Sequence, residues 1–405
     1  AHPGARLMPL DLVNTLCDLV RLPSVNPMGR PVTGDIYFEH RVTDYLQELF
    51  QQLGVPWQRQ QVQPQRENII ARLDGDVPLE KGGKLIMLEA HQDTVPVDGM
   101  IIPPWTPEVR DGRVWGRGSC DIKGGMASML WAFSRLIEER PAGRPTVIMA
   151  CSVNEEHGFY GAREMAELWS KPGHVSPLIP RTPDAVVVAE PTLLDVVVAH
   201  KGTVRWRCRT TGRAAHSSRP EQGDNAIYHM ARVIAALESY AKNDVVKLTR
   251  HRLVGTPTLS VGIIAGGISV NTVADDCYIE IDRRVVPGED PYVARNHVIE
   301  HLQKTLPPGT PVKHEDPFIA GRGLGDEHNG DLAARLGAVA QRYGGGKPLG
   351  VPYGTNAPAY AATGAPTVVF GPGSIDQAHT CDEWVAVEQL HAAADVLYDF
   401  ARTYA

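Results

Sequence analysis

The sequence has few features that would tie the protein to a membrane or to nucleic acid. Its longest apolar stretches, such as residues 185–189 and 367–370, have the length of a strand, whereas a membrane-spanning helix needs roughly 18 consecutive apolar residues. Runs rich in lysine and arginine are absent, and the formal net charge is -7, which argues against a nucleic-acid-binding surface. We therefore expect neither a membrane nor a nucleic-acid partner.

Cysteine is also scarce, and its spacing argues against disulfides and thiolate metal sites. The six cysteines among 405 residues are widely separated and form no Cys-x-x-Cys pair, so reduced thiols are the simplest interpretation. Residues 1–10 lack the apolar core of a secretory signal. These absences predict a cytoplasmic protein, and its length allows one large domain or two.

Four apolar runs of strand length each precede a residue that can bind a metal ion. Continuous apolar runs that alternate with helical segments, such as residues 124–136, are typical of a mostly parallel sheet covered by helices on both faces. We therefore predict an α/β fold with such a sheet. The runs are KLIMLEA (84–90), PTVIMACSV (145–153), DAVVVA (184–189) and PTVVF (366–370).

The pattern changes between about residues 200 and 314. Residues 203–211 and 277–283 alternate polar and apolar side chains, as half-exposed strands do. Helical segments at 225–240 and 291–306 and a strand at 258–264 complete a strand-helix-strand-strand-helix-strand order, which is similar to a ferredoxin-like unit. We predict a catalytic domain formed by residues 1–197 and 315–405, with residues 198–314 inserted as a second, α+β domain.

The polar residues after the apolar runs have an ordinary interpretation when each is taken alone. Asp121 could cap a helix, the Glu155–Glu156 pair could be a solvated turn, and His379 could be a structural histidine. Taken together they form an oxygen-rich set with imidazole, which suits zinc, cobalt or manganese. Because ligands bind at the carboxyl ends of parallel strands, we expect these residues to converge on one site.

The number of candidate ligands matches a site for two divalent metal ions, with zinc the first choice. Two ions about 3.5–4 Å apart need a bridging carboxylate and about two further ligands each. Asp121 would bridge the ions, His91 and Glu190 would complete one site, and Glu156 and His379 would complete the other.

Two further carboxylates remain beside this set. Glu155 is a spare group next to Glu156 and can act as the general base, which takes a proton from water and returns it to the departing amine. Asp93 would hydrogen-bond the free ring nitrogen of His91 and so fix its tautomer.

Five segments resemble one superfamily of dinuclear metallohydrolases, which includes acetylornithine deacetylase, succinyl-diaminopimelate desuccinylase, aminoacylase and glutamate carboxypeptidase. They occur in the family's order and span nearly the whole chain. The segments are EAHQDTVP (89–96), GRGSCDIKGG (116–125), NEEHG (154–158), AEPT (189–192) and GPGSIDQAH (371–379).

The resemblance implies that the inserted domain is a lid and dimerisation domain, and therefore a homodimer. His216, in the segment GRAAHSS (212–218), would enter the partner's active site and donate to the oxyanion. Asn271 and Arg284 match the lid residues that hold the substrate's carboxylate, although the neighbouring Arg283 could be confused with Arg284.

The nearest branch by resemblance is acetylornithine deacetylase, which implies an N-acyl-L-amino acid as the small-molecule substrate. One segment departs from that branch: Gly354, Thr355, Asn356 and Ala357 replace a Cys-Thr-Glu-Ala pattern in a region that lines the substrate pocket of the family. A dipeptidase or carboxypeptidase that acts on a short peptide is therefore the alternative. A catalytically silent binding protein is disfavoured because the whole ligand set and the spare glutamate are present.

Three cysteines lie near the candidate ligands in sequence: Cys120, Cys151 and Cys381. Because the carboxylate and histidine set is already complete, we expect none of these thiols to bind a metal ion.

Overall fold

A computed structural model of the protein describes residues 10–173 and 175–404. These residues form two compact units. Of the described residues, unit 1 contains those up to Val198, Asp326–Leu349, and those from Thr355 onward, while unit 2 contains Ala199–Gly325 and Gly350–Gly354. Residues 1–9, which contain most of the segment used for the secretory-signal prediction, lie outside the described residues.

The α-helices of the described chain follow the predicted helices closely where a prediction was made. In chain order they are α1 (Leu12–Val20), α2 (His40–Gln52), α3 (Lys123–Glu139), α4 (Tyr160–Ser170), α5 (Ala226–Asn243), α6 (Pro291–Thr305), α7 (Gly330–Ala340), α8 (Ala357–Ala361) and α9 (Val387–Thr403).

The strands fall into three sheets. In chain order they are β1 (Trp57–Gln63), β2 (Arg66–Leu73), β3 (Leu85–His91), β4 (Glu108–Arg110), β5 (Arg113–Trp115), β6 (Thr146–Ser152), β7 (Ala185–Val188), β8 (Val196–His200), β9 (Gly202–Thr211), β10 (Thr258–Gly266), β11 (Asp276–Val285), β12 (Val312–His314), β13 (Ile319–Gly321), β14 (Pro348–Val351), β15 (Thr367–Val369) and β16 (Trp384–Ala386).

The main sheet has the order β1-β2-β6-β3-β7-β15-β8-β14. Its centre, β6-β3-β7-β15, is parallel, whereas β1, β2 and β8 pair in antiparallel fashion. These four parallel strands are the four apolar runs of the sequence. The predicted α/β class with a mostly parallel sheet is thereby confirmed.

Helices cover the parallel strands. Every residue of β3 and β6 is buried, because α3 packs on both strands and the α4–α8 pair packs on β6, β7 and β15. Helix α3 in turn packs against α1 and α9. A continuous apolar run suits a strand in this position because both of its faces are removed from water.

A small sheet, in the order β16-β5-β4, lies in unit 1. Trp384 of β16 pairs with Trp115 of β5, and the Arg113 guanidinium lies 3.9 Å above the Trp384 ring. Strand β5 leads into the segment that carries Asp121, and β16 follows the segment that carries His379. This pairing therefore holds two candidate ligand segments at neighbouring positions.

Unit 2 has the predicted ferredoxin-like order of β9, α5, β10, β11, α6 and β12. Its antiparallel sheet has the order β10-β11-β9-β12. Alternate residues of β9 and β11 are buried and pack with α5 and α6 around Trp206. The opposite face carries ion pairs such as Arg207–Glu280 and Arg209–Asp276, which explains the alternating sequence pattern.

The second boundary between the units differs from the predicted one. The chain leaves unit 2 between Gly325 and Asp326 rather than after His314. The reason is that β13, which follows the predicted boundary, pairs with β9 and so extends the unit 2 sheet. Residues 350–354 also belong to unit 2.

Among the helices of the described residues, none combines the length and the apolar character that crossing a membrane requires. The cytoplasmic location stays a prediction.

Candidate metal centre

The carboxyl ends of the four parallel strands carry four of the five candidate ligands. His91 is the last residue of β3, Glu156 follows β6, Glu190 follows β7, and His379 follows β15. Asp121 comes from the segment that links β5 to α3. Because the four strands run in the same direction, their following residues meet at one edge of the sheet.

The structure brings all five predicted ligands together in two groups that share Asp121. One group contains His91, Asp121 and Glu190, and the other contains Asp121, Glu156 and His379. Within each group the potential ligand atoms all lie within 4.8 Å of one another.

Asp121 faces both histidines with different oxygen atoms. Its Oδ1 lies 3.2 Å from Nε2 of His91, and its Oδ2 lies 3.2 Å from Nε2 of His379. Nε2 of His91 also lies 4.0 Å from Glu190, and Nε2 of His379 lies 3.3 Å from Glu156. This is the arrangement that a bridging carboxylate between two ions requires.

The chemistry of the donor set fits divalent cations. Burial, followed by the charge of Asp121, raises the pKa of both Glu156 and Glu190. Oε1 of Glu156 is buried and has no hydrogen-bond partner among the described residues. Buried carboxylates that crowd together in this way need positive charge to remain ionised, and bound cations would supply it.

The neighbouring carboxylates favour the protonated, positively charged form of the two histidines. Burial alone would lower the pKa of His379, but hydrogen bonds to Asp121 and Glu156 outweigh burial and raise the pKa to about 11. Hydrogen bonds to Asp121 and Asp93 raise the pKa of His91 against the same opposing effect of burial. Metal ions would therefore displace protons from both rings.

Asp93 contacts the His91 ring mainly through its backbone carbonyl oxygen and not, as predicted, through its carboxylate. Nδ1 of His91 lies 3.0 Å from the backbone carbonyl oxygen of Asp93, whereas the Asp93 carboxylate is 3.5 Å away. The carboxylate instead accepts hydrogen bonds from the backbone N–H groups of Glu155 and Glu156, each at 3.1 Å. Asp93 therefore joins the end of β3 to the segment that follows β6.

Asn26 belongs to the same network, although sequence reasoning missed it. Its amide nitrogen is buried and donates to Asp93 at 2.7 Å and to Asn154 at 2.9 Å. Hydrogen bonds and the charge of His91 outweigh burial and lower the pKa of Asp93 to about 2. No local motif around residue 26 indicates this contact, because its partner is 67 residues away.

Glu155 lies in the same buried region. Its exposed fraction is 7%. Burial, with repulsion from Glu156 and Asp93, raises its pKa well above the usual range. The carboxyl group is therefore adjacent to the ligand set in sequence and shares its electrostatic surroundings.

No group of potential metal ligands among the described residues contains a cysteine, and the absence of thiolate ligands stays a prediction. Burial raises the pKa of the Cys120 and Cys151 thiols well above the usual value, and so disfavours the thiolate form that binds metal. Cys381 is exposed.

The predicted lid residues lie in unit 2, and the structure brings only some of them together. His216 forms a bridge with Thr272, and the Ser217 N–H donates to the carbonyl oxygen of Asn271 at 2.9 Å. His216 and Asn271 are therefore neighbours at the β10–β11 connection. Arg284 lies near the opposite end of β11.

The choice between Arg283 and Arg284 follows from their contacts. Arg283 is fully buried and binds Glu289 at 3.0 Å. Arg284 points to the other face of β11, where it pairs with Asp282 at 3.1 Å and keeps 27% of its side chain exposed. Of the two, Arg284 is the residue that a ligand can reach.

The segment that departs from the acetylornithine deacetylase pattern is divided between the units, with Gly354 in unit 2 and Thr355 and Asn356 in unit 1. The amide of Asn356 donates to Glu89 at 3.1 Å and to Ser152 at 3.0 Å, and all three residues are buried. The side chain of Asn356 therefore braces the ends of β3 and β6. A direct role for these residues in substrate binding stays a prediction.

Comparison with known proteins agrees with this arrangement. The family model for peptidase family M20/M25/M40 matches residues 87–403. The chain belongs to this family. It is therefore a metal-dependent hydrolase, as the resemblance implied.

Curated relatives of this M20-family chain are named acetylornithine deacetylase. The protein from Vibrio vulnificus is 30% identical over 384 residues, which cover 90% of this chain and 91% of that protein. The protein from Vibrio cholerae serotype O1 is 32% identical over 364 residues, which cover 85% of this chain and 86% of that protein.

Solved structures show the same fold at lower identity. A tripeptidase from Staphylococcus aureus is similar with a TM-score of 0.74 and 19% identity, covering 98% of this chain and 99% of that chain. An M20 metallo-carboxypeptidase from Sulfolobus solfataricus has the same TM-score and coverage with 17% identity. A dinuclear metal-binding M20 peptidase from Bacillus subtilis has a TM-score of 0.64 and 16% identity, with 96% of each chain covered.

Proposed function

We propose that the protein hydrolyses the amide bond of an N-acyl-L-amino acid with the help of two divalent metal ions, most simply zinc. The observation that carries this proposal is the pair of ligand groups that share Asp121. The buried Glu155 precedes Glu156 and lies within electrostatic reach of His91 and Asp121. The acyl-amino-acid substrate is supported by the relatives named acetylornithine deacetylase, which match most of the chain.

The geometry supports a role for each residue of the set. His91, Asp121, Glu190, Glu156 and His379 would hold the two ions. When bound, the ions supply an acidified water molecule as the nucleophile and polarise the carbonyl group of the scissile amide.

Glu155 would move the proton. We infer that its carboxylate takes a proton from the attacking water and delivers it to the nitrogen of the departing amino acid. Asp93 keeps the Glu155 and Glu156 backbone in place through its two hydrogen bonds of 3.1 Å, so that the base stays beside the ligand set.

The experiment that tests the substrate class is a hydrolysis assay of the metal-reconstituted protein, with and without a chelator. The panel contains N-acetyl-ornithine, N-acetyl-methionine, N-succinyl-diaminopimelate and several dipeptides. We expect chelator-sensitive release of the free amino acid from an N-acyl substrate. Turnover of the dipeptides alone would move the enzyme to the alternative, a dipeptidase, and turnover that survives the chelator would contradict the mechanism.

If Glu155 is the general base, replacing it should lower the rate of hydrolysis without affecting metal binding. Glu155→Gln keeps the shape of the side chain but cannot accept the proton, so we expect about a 10²- to 10⁴-fold lower kcat with both metal ions retained. Metal content by mass spectrometry and kcat on the best substrate of the panel provide the measurement. Loss of metal ions, or nearly normal turnover, would refute the assignment.

We further propose that the active form is a homodimer in which both copies contribute to each substrate site. Arg284 and Asn271 are both predicted to bind the substrate's carboxylate, but they lie toward opposite ends of β11. Arg284 lies eight positions after Asp276, the first residue of β11, which corresponds to about 26 Å at roughly 3.3 Å per residue. One carboxylate cannot reach both residues of a single unit 2.

The exposed apolar residues of unit 2 support a self-association surface. Strand β10 is an edge strand of its sheet. Ile263 and Ile264 of this strand are 49% and 57% exposed, and Ile268 and Val270 just beyond it are exposed as well. An edge strand with exposed apolar side chains can pair with another chain.

Complementation between two inactive variants tests this shared site. We expect Arg284→Met and Asn271→Ala to be nearly inactive alone. Unfolding, mixing and refolding the two should restore about a quarter of the wild-type rate, because about half of the dimers are mixed and each mixed dimer has one intact site. A mixture as inactive as its components, with folded dimers present, would contradict the proposal.

A further inference from the structure

Glu383 is a fully buried carboxylate four residues beyond His379. Each of its oxygens accepts two hydrogen bonds. Oε1 accepts from the backbone N–H groups of Cys120 at 2.8 Å and Asp121 at 2.9 Å. Oε2 accepts from the Gly118 N–H at 2.9 Å and from the Arg117 guanidinium at 2.7 Å.

These contacts fix the backbone of the bridging ligand candidate, Asp121, and of the residues that precede it. The segment from Gly116 to Asp121 wraps around the carboxylate, and the Gly116 N–H also donates to the backbone carbonyl oxygen of Glu383 at 3.0 Å. Successive backbone N–H groups that point at one anion form a concave anion-binding site, and the anion in turn fixes the conformation of that backbone. The position of the Asp121 backbone is therefore set by the side chain of Glu383.

The Glu383 side chain also links the chain segments that carry Asp121 and His379, two members of the second ligand group. His379 lies in the segment that leads to Glu383, and Asp121 lies in the segment that Glu383 holds. Nε2 of His379 and Oδ2 of Asp121 are 3.2 Å apart, so a small displacement of either segment would alter the spacing of the ligand atoms.

We propose that Glu383 is a positioning residue for the metal centre. It holds the Asp121 segment at a fixed place relative to His379 before any ion binds, and so raises the affinity for metal. This inference rests on the ligand set given under the proposed function, because Glu383 itself is not a ligand in it.

The balance of charge agrees with this role. Arg117, which is also buried, pairs with Glu383 and donates to the carbonyl oxygen of Pro96 at 3.2 Å. Replacing the carboxylate with an amide would leave the guanidinium buried without a negative partner. It would also leave two of the four donors facing an NH2 group instead of an acceptor, which is costly for each group. The four donors therefore need the Glu383 carboxylate as their acceptor. Glu383 affects the metal centre only by positioning the backbone that carries these donors.

The test compares Glu383→Gln and Glu383→Asp with a matched control, Glu289→Gln. The first variant keeps the length and removes the charge, whereas the second keeps the charge and shortens the reach. Glu289 of unit 2 has similar partners, namely the Val286 N–H at 2.8 Å and the Arg283 guanidinium at 3.0 Å, but unit 2 contains none of the proposed metal ligands.

The measurement is Mn²⁺ binding to each chelator-treated protein by calorimetry, together with thermal unfolding and EPR of the loaded proteins. We expect both Glu383 variants that fold to bind Mn²⁺ about 10- to 100-fold more weakly than the wild type, with reduced spin coupling between the two ions. The Glu289 variant should lose thermal stability but bind Mn²⁺ within about twofold of the wild type.

Two results separate this inference from the ligand assignment. If the wild type does not bind two Mn²⁺ ions, the proposed ligand set itself is overturned. If the wild type binds two ions and a folded Glu383 variant binds them equally well, only the positioning role is overturned.

A measurement on the wild type tests the inference even where both variants fail to fold. The backbone N–H groups of Gly118, Cys120 and Asp121 should be protected from hydrogen exchange in the metal-free protein, because Glu383 accepts from all three. Protection that develops only when Mn²⁺ is added would show that the metal organises this segment, and would overturn the inference.

Discussion

The metal centre depends on one carboxylate, that of Asp121, whose two oxygens each lie 3.2 Å from a different histidine. Both ligand groups need this residue, so the surrounding structure must place its backbone accurately. The parallel strands bring His91, Glu156 and Glu190 to one edge of the sheet, while Glu383 and the β5–β16 pairing fix the Asp121 segment beside His379. Two ions can therefore bind at a defined spacing only if the Asp121 and His379 segments and the strand ends are held in these positions.

Four of the five ligands could be predicted because each follows an apolar run, and strands of one parallel sheet end at the same edge. Asp121 follows no such run and is identified from the motif GRGSCDIKGG (116–125) and from the need for a bridging carboxylate. The residues that hold the ligands in place could not be predicted in this way. Asn26 contacts Asp93 across 67 residues, and Glu383 contacts the Asp121 N–H across 262 residues. A single polar residue in a loop carries no periodic signal, so only the folded chain identifies such partners.

In unit 2, by contrast, the alternation of buried residues along a strand distinguishes Arg283 from Arg284, which the family motif alone does not. Along β11, Cys277, Ile279 and Ile281 alternate as buried residues, and the same parity places Arg283 in the interior and Arg284 on the opposite face. Strand alternation thus favours Arg284 without any structure. The three residues of β13 are too few to show a period, so the strand pattern alone places the boundary too early. The glycine-rich stretch from Gly321 to Gly325 is the sequence feature that indicates a crossing between domains there.

The most direct test of the account is a crystal structure of the zinc-soaked protein with anomalous diffraction data collected at the zinc edge. We expect two anomalous peaks about 3.5–4 Å apart, both bound by Asp121, with His91 and Glu190 on one ion and Glu156 and His379 on the other. A single peak, or ions bound away from Asp121, would contradict the two-ion mechanism that the proposed function requires.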